Sequence, residues 1–329
     1  MVKQFLRDNP IHKRIVPYFD YFFLLRPTLY FAIWVMVVLG MSTAKMNIVE
    51  YPLWIMNYDV STLLVFLGIT LLCSGTFIIN QITDKESDAK NQKLFLIGKY
   101  IEIKKAQQFS NVISIMGMLL LVLGNLILVP LGVTIYILWG ITYNKSPFEW
   151  KKHPYLGILT NIVIGIILFL IGWLQVSGIN GIEISNLISL MTPYILCFTA
   201  GSLMTNIPDI KGDASESANT FSVKFGRRTT TIIATLIVIV AFYLSYKNSD
   251  PIASTASLSS IPFFVFALFR NLDKDILRAI RYPIFLLNFF VFAVYPWLFV
   301  SVFIIYYISK YYYWHRFDLH YPTFLVEND

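Results

Sequence analysis

Long apolar stretches alternate with short polar segments along the whole chain. Nine such stretches can be distinguished, and most approach or exceed the roughly 18–20 residues that an α-helix needs to cross a bilayer. The pattern therefore predicts an all-α integral membrane protein with nine transmembrane helices, at approximately residues 18–43, 60–81, 108–128, 129–143, 155–177, 187–206, 229–247, 253–270 and 283–309.

The composition agrees with a membrane location. Of the 329 residues, 57% are hydrophobic and only 14% are charged, against roughly 25% charged in soluble domains. Mean hydropathy is +0.64, which excludes a disordered chain. The longest polar stretch, at about 83–107, is only a loop, so we expect one transmembrane domain over residues 1–329. Cys73 and Cys197 both lie in apolar stretches, which favours buried free thiols over a disulfide.

Basic residues concentrate on one predicted side of the membrane. When flanks and loops are assigned alternately to two faces, one face receives 21 of the lysines and arginines and the other receives 4. Cytoplasmic loops carry the excess of these residues, so we expect the N-terminus in the cytoplasm and the C-terminus outside. The anionic inner leaflet then accounts for the net charge of +7, and we expect no nucleic-acid partner.

The first acidic motif follows the second apolar stretch. Asn80, Asp84 and Asp88 are spaced four residues apart, so on a helix they share one face, each about 6 Å beyond the last. Two carboxylates at this spacing repel each other when no cation is present. Ligation by carboxylate oxygens suits Mg²⁺, which commonly binds one or two carboxylates together with substrate phosphates.

A second acidic pair, Asp209 and Asp213, repeats this spacing after the sixth apolar stretch. Four predicted helices separate the two motifs, so both reach the same membrane face. A single acidic pair at a helix end is usually a solvated surface. Two matched pairs in a chain with only 19 acidic residues instead predict facing sites that hold Mg²⁺ and clamp a diphosphate.

Arg26 is the basic residue with the most unusual position. It lies inside an apolar stretch, in Leu24-Leu25-Arg26-Pro27, where an unpaired charge is costly. We therefore expect it to be paired, with the acidic motifs and their bound diphosphate as its partners. The other lysines near the motifs have an alternative explanation, because lysine side chains also extend to lipid headgroups.

These motifs resemble those of the UbiA superfamily of membrane prenyltransferases. The resemblance covers about residues 20 to 309 and rests on the following matches: Asn80-x-x-x-Asp84-x-x-x-Asp88, Asp209-x-x-Gly212-Asp213, Asn219 to Gly226, Leu25-Arg26-Pro27, Tyr143, Pro147, Lys151 and Asn161.

The resemblance implies nine helices around a central cavity that opens to lipid. It also implies two Mg²⁺ ions, an isoprenyl diphosphate donor and a lipophilic, often aromatic, acceptor. By this comparison both acidic motifs, Asn80 included, bind the metal and the diphosphate. It further implies that Arg26 and Lys151 contact phosphate. We also expect Asn161, at a polar position of the family, and Lys93 on the diphosphate side, and Tyr143 nearest the bond that ionises.

The chain departs from the family pattern after the first motif. Many members carry Arg-Pro about seven residues beyond the last acid, whereas this chain has Phe95-Leu96. We expect Lys93 or Lys99 to supply the missing charge, or the donor to be held differently.

Three other functions remain compatible with the sequence. A terpene cyclase of the same superfamily would ionise the same donor and quench the cation internally. A transporter would suit nine spans, but the acids lie at one face and no broken helix pair marks a midplane site. A non-catalytic membrane scaffold would not need two intact acidic pairs.

Overall fold

The computed structural model describes residues 9–46, 59–90, 96–179 and 184–322. Within these ranges the chain forms fourteen α-helices. In chain order they are α1 Pro10–Ile15, α2 Asp20–Leu24, α3 Tyr30–Met46, α4 Val60–Thr83, α5 Lys85–Lys90, α6 Ile103–Gly124, α7 Val129–Ile135, α8 Leu156–Ser177, α9 Ile184–Thr205, α10 Ile210–Ser215, α11 Phe221–Lys247, α12 Pro251–Arg270, α13 Asp273–Val294 and α14 Pro296–Phe317.

The predicted all-helical membrane fold is confirmed. Eight of the described helices are long and apolar enough to cross a membrane. A shorter apolar segment, Leu126–Thr142, lies between two of them, and its second half is a π-helix at Tyr136–Thr142. Together these nine segments agree approximately with the predicted number of spans, and α14 is a further long helix after them.

Glycines let two pairs of long helices approach closely. α3 packs against α8, and α4 packs against α6. A Cβ atom on Gly172 of α8 would overlap the carbonyl oxygen of Val37, and one on Gly117 of α6 would lie 2.6 Å from the Leu72 nitrogen. Small residues at such contacts bring backbones together, which is how transmembrane helices gain packing energy without a hydrophobic driving force.

We expect Gly172→Ala to destabilise the protein by about 1–3 kcal/mol or more, because the added methyl group must push α8 away from α3. Gly201→Ala is the matched control, since a Cβ there meets nothing within 4 Å and should change stability by less than about 1 kcal/mol. Unfolding in detergent micelles measures both. Equal stabilities for the two variants would contradict the close packing.

The first span begins later than predicted. Residues 18–26 do not extend the helix, because Arg26 adopts a left-handed backbone conformation with φ 53° and ψ 57°. Pro27 then starts a short 3₁₀ turn that leads into α3. A proline disfavours helical geometry in the residue before it. The spanning segment is therefore Pro27–Ala44, and α1 and α2 precede it as separate short helices.

The last predicted span, 283–309, is two helices rather than one. α13 ends at Val294, Tyr295 is non-helical with φ −126° and ψ 75°, and Pro296 begins α14. Proline suits the first position of a helix because it has no N–H to satisfy. At this turn Tyr295 is buried and its hydroxyl bonds Ser42, near the end of α3.

α14 returns to the end of the bundle where the chain begins. Near its C-terminal end Tyr312 bonds Asp20, and beyond it the Tyr321 hydroxyl lies 3.4 Å from that of Thr28. Both described ends of the chain therefore lie at one end of the bundle, whereas the charge pattern predicted them on opposite faces. Arg316 thereby reaches Asp20 near the start of the described chain.

Candidate functional site

The first acidic motif lies where α4 passes into α5. Backbone bonds from Asp84 N to Asn80 O (2.9 Å) and from Asp88 N to Asp84 O (2.8 Å) continue the helical repeat through the turn. The three side chains therefore share one face. The Asn80 amide nitrogen donates to Asp84 Oδ2 at 2.6 Å, so its oxygen faces a metal beside Asp84 only after the amide turns over.

Lys151 lies directly against this motif. Its ammonium group forms an ion pair with Asp84 Oδ1 and donates to Thr83 Oγ1 at 2.7 Å. A longer contact, 3.3 Å, joins it to Asn144 Oδ1. The Lys151 side chain is only 12% exposed, which strengthens its attraction to the carboxylate. The Lys151 ammonium group is thus surrounded by side-chain oxygen atoms.

The second acidic motif begins as α10 starts. Asp213 N donates to Asp209 O at 2.9 Å, which keeps the two acids one helical turn apart. Asp213 also accepts from the Thr220 hydroxyl at 3.2 Å. α10 packs against α5, and Asn219 N donates to Lys152 O at 2.9 Å. The two acidic motifs and the Lys151 loop therefore meet at one end of the bundle.

Arg26 approaches the first motif from the other side. Its guanidinium lies 3.6 Å from Asp88 Oδ2, and its side chain is 31% exposed. The backbone just before it is tied to α4, because the Gln81 amide donates to Leu24 O at 2.8 Å. Arg26 and Lys151 thus face different carboxylates of the same motif.

The donor atoms at the site fit a hard divalent cation that also binds phosphate. Among the described residues, no three His, Cys, Asp or Glu side chains are grouped tightly enough to form a metal site by themselves. The oxygen-lined position of the Lys151 ammonium shows that this end of α4 can surround a positive charge. Mg²⁺ prefers such oxygen ligands and usually completes its shell with water and substrate phosphate.

Tyr143 and Asn161 lie between the acids and the interior. The Tyr143 hydroxyl bonds the Asn161 side chain and lies within electrostatic reach of Asp84, Asp209 and Asp213. Asn161 also accepts from Trp139 Nε1 at 3.0 Å and donates to Ser202 Oγ at 2.9 Å. The bonds shown for Asn161 are thus to Tyr143, Trp139 and Ser202, and its contact with the diphosphate stays a prediction.

An apolar cavity of about 330 Å³ extends into the bundle from this level. Phe77, one turn before Asn80, and Thr205, one turn before Asp209, both line it. Its walls come from many helices, with the following aromatic and polar side chains: Phe31, Phe77, Trp139, Tyr194, Phe198, Phe264, Asn161, Ser202, Thr205, Ser260 and Asn288. Both acidic motifs therefore lie at the end of an intramembrane cavity.

The structure describes one of the two lysines expected to replace the missing arginine. Lys93 and Phe95 lie outside the described residues. Lys99 is exposed, and its ammonium lies 5.3 Å from the centre of the Tyr100 ring.

Several site residues were not predicted from the sequence. Asn144 joins Asn80 to Lys151, and Thr83 and Thr220 each bond a site residue. Asn288 lines the cavity, is 3% exposed, and has an amide oxygen without a hydrogen-bond partner among the described residues. A polar side chain inside an apolar stretch was the available signal for Asn288.

Comparison with known families gives one match that covers most of the chain. The model of the UbiA prenyltransferase family matches residues 33–289. This range contains both acidic motifs and Lys151, and it ends before α14.

Curated relatives match only part of this chain, at 30% identity or less. A digeranylgeranylglyceryl phosphate synthase of Sulfolobus acidocaldarius is 30% identical over 185 residues, which are 54% of this chain and 62% of that protein. A 2-acylphloroglucinol 4-prenyltransferase of Humulus lupulus is 27% identical over 226 residues, 64% of this chain and 54% of that protein. The chain thus spans about half to two thirds of the length of these relatives.

Solved structures share the fold at low identity. A UbiA homologue from Archaeoglobus fulgidus, bound to DMAPP and Mg²⁺, superposes with a TM-score of 0.62 at 16% identity, covering 84% of this chain and 98% of that one. An apo UbiA homologue from Aeropyrum pernix gives a TM-score of 0.60 at 13% identity, covering 80% and 96%.

Proposed function

This chain belongs to the UbiA prenyltransferase family, and from that premise we propose that it is an intramembrane prenyltransferase. It acts as a single transmembrane unit, requires Mg²⁺, and moves an isoprenyl group from an isoprenyl diphosphate to a lipophilic acceptor. One observation carries the proposal: the two acidic motifs lie at the end of an apolar cavity, together with the basic side chains of Arg26 and Lys151. Such a site suits a molecule with a diphosphate head and a hydrocarbon tail.

The acidic side chains would hold two Mg²⁺ ions and, through them, the diphosphate. The proposed ligands are Asn80, Asp84, Asp88, Asp209 and Asp213. When bound, Mg²⁺ supplies Lewis acidity that stabilises the charge developing on the leaving diphosphate. With Mg²⁺ bound, Lys151, which pairs with Asp84 in its absence, would contact phosphate oxygens.

Arg26 and Lys151 would stabilise the leaving group from two sides. As the allylic C–O bond breaks, its electron pair stays with the diphosphate and the isoprenyl carbon becomes cationic. Fixed positive groups around the diphosphate favour that separation most when the bond is broken. Lys93 would add a third positive charge where the family pattern has arginine.

The cavity would protect the isoprenyl cation from water. Its lining is almost entirely apolar, and a dry pocket prevents hydrolysis of a reactive intermediate. Aromatic faces such as those of Phe77 and Trp139 stabilise a nearby cation by roughly 0.5–2 kcal/mol each. Tyr143, hydrogen-bonded to Asn161 and within electrostatic reach of Asp84, Asp209 and Asp213, would lie nearest the bond that ionises. The acceptor attacks the cation and loses a proton to complete the transfer.

Product analysis tests this function. Purified protein in lipid is supplied with labelled geranylgeranyl diphosphate, Mg²⁺ and a set of lipophilic aromatic and lipid-alcohol acceptors. We expect one prenylated product and stoichiometric diphosphate, with no product in EDTA. A cyclic hydrocarbon or alcohol formed without acceptor would instead support a terpene cyclase. Absence of diphosphate release under every condition would contradict both.

The acidic motifs would face the cytoplasm, together with both described ends of the chain. Single cysteines replacing Ser215, His320 and Ser249 in a background lacking Cys73 and Cys197 test this. We expect an impermeant thiol reagent to label Ser215→Cys and His320→Cys only from the cytoplasmic side, and Ser249→Cys only from outside. Labelling of His320→Cys from outside would remove the returning path of α14.

A further inference from the structure

The segment that carries Arg26 is fastened to the last helix by a buried carboxylate. Asp20, on α2, is 6% exposed. It accepts a hydrogen bond from the Tyr312 hydroxyl at 2.6 Å and two from the Arg316 guanidinium at 2.9 and 3.2 Å. Every one of these donors comes from α14. Three hydrogen bonds among three side chains make this a specific contact between the two ends of the described chain.

The same segment is held by packing and by the first motif helix. The Phe23 ring stacks on Tyr312 with centroids 3.8 Å apart and planes 6° apart. On the opposite side Gln81 of α4 bonds Leu24 O. Phe23 and Leu24 are thus held by α14 and by α4, the helix that ends just before Asp84.

Arg26 itself has a backbone conformation that needs such support. Its φ of 53° lies in the left-handed region, which an arginine enters only at an energetic cost and keeps only when its surroundings enforce it. This conformation turns the chain so that the guanidinium reaches to 3.6 Å from Asp88.

We propose that Asp20, Tyr312 and Arg316 are positioning residues that set Arg26 for the diphosphate, so that α14 is part of the donor site although it touches no substrate. The proposal rests on the proposed function. Asp20, Tyr312 and Arg316, like Arg26, lie outside residues 33–289, which the family model matches.

Binding of inorganic diphosphate in the presence of Mg²⁺ tests the proposal directly. We expect Asp20→Asn to weaken this binding by about 10- to 100-fold and to raise KM for labelled geranylgeranyl diphosphate similarly, because a displaced cation loses its contact with phosphate. Tyr312→Phe removes only one hydroxyl and should give a smaller effect of the same kind. Tyr311→Phe is the matched control, because the Tyr311 hydroxyl bonds His12 and not Asp20. We expect it to bind diphosphate like the wild-type protein.

A double-mutant cycle with Arg26→Ala separates positioning from general destabilisation. If Asp20 acts through Arg26, then Asp20→Asn causes no further loss of diphosphate binding once Arg26 is alanine. Full additivity of the two changes, or wild-type binding in folded Asp20→Asn, overturns the proposal. Where Asp20→Asn fails to fold, Tyr312→Phe decides by the same criteria. Wild-type protein that binds no diphosphate overturns the proposed function as well.

Discussion

Replacing Asp84 or Asp209 with alanine is expected to reduce turnover of an isoprenyl diphosphate by roughly 10³-fold or more. Each change removes one carboxylate from a different motif. The remaining intact motif cannot supply all the ligands of the metal ions that hold the diphosphate. Both residues are partly exposed, and truncation leaves no cavity in the core. Release of diphosphate from labelled donor measures the loss, and thermal unfolding in detergent verifies that both variants fold.

Glu86→Ala is the matched control for this prediction. Glu86 lies on α5 between Asp84 and Asp88 but is exposed, away from the face that the motif residues share. We expect it to retain wild-type turnover. Either aspartate variant turning over near the wild-type rate would remove the two-motif site.

Lys151→Met is expected to lower kcat/KM for the donor by about 10²-fold, the second large effect. Methionine keeps most of the apolar length of lysine but removes the charge that contacts Asp84. Without it, the developing charge on the diphosphate loses one fixed counter-charge in a site with little water. The contact between Lys151 and the diphosphate strengthens as the C–O bond of the donor breaks. The Lys151→Met change should therefore lower kcat by a larger factor than it raises KM.

The neighbouring lysine provides the control. Lys152 pairs with Glu149 through a partly exposed contact at 2.6 Å. Lys152→Met should therefore leave kcat/KM within about twofold, as for an exposed ion pair. Equal losses of activity in both lysine variants would show that the loss comes from a disturbed loop and not from the missing Lys151 charge.

Spacing predicted the placement of the acids because helix geometry is local. A four-residue interval puts Asp84 and Asp88 on one face, and the backbone bonds across the end of α4 preserve this relation. The even number of intervening spans predicted that both motifs reach one end of the bundle, and the packing of α5 on α10 agrees. Both inferences need only the period of a helix and the alternation of membrane crossings.

Other features depend on tertiary contacts that a single sequence does not reveal. Asn144 looks like an ordinary loop residue, yet it bonds both Asn80 and Lys151. The break at Tyr295 is nearly invisible to hydropathy, because tyrosine, proline and tryptophan continue the apolar stretch. Only the proline marks it, and the return of α14 to Asp20 then follows from packing.

Equilibrium binding of labelled inorganic diphosphate is the most direct test that the two acidic motifs form one metal-dependent site. The measurement compares wild-type protein with Asp84→Ala and Asp209→Ala, each with Mg²⁺ and with EDTA. We predict that wild-type protein binds only with Mg²⁺, and that each variant binds at least about 100-fold more weakly although the other motif is intact. Wild-type affinity in EDTA, or in either variant with Mg²⁺, would contradict the account.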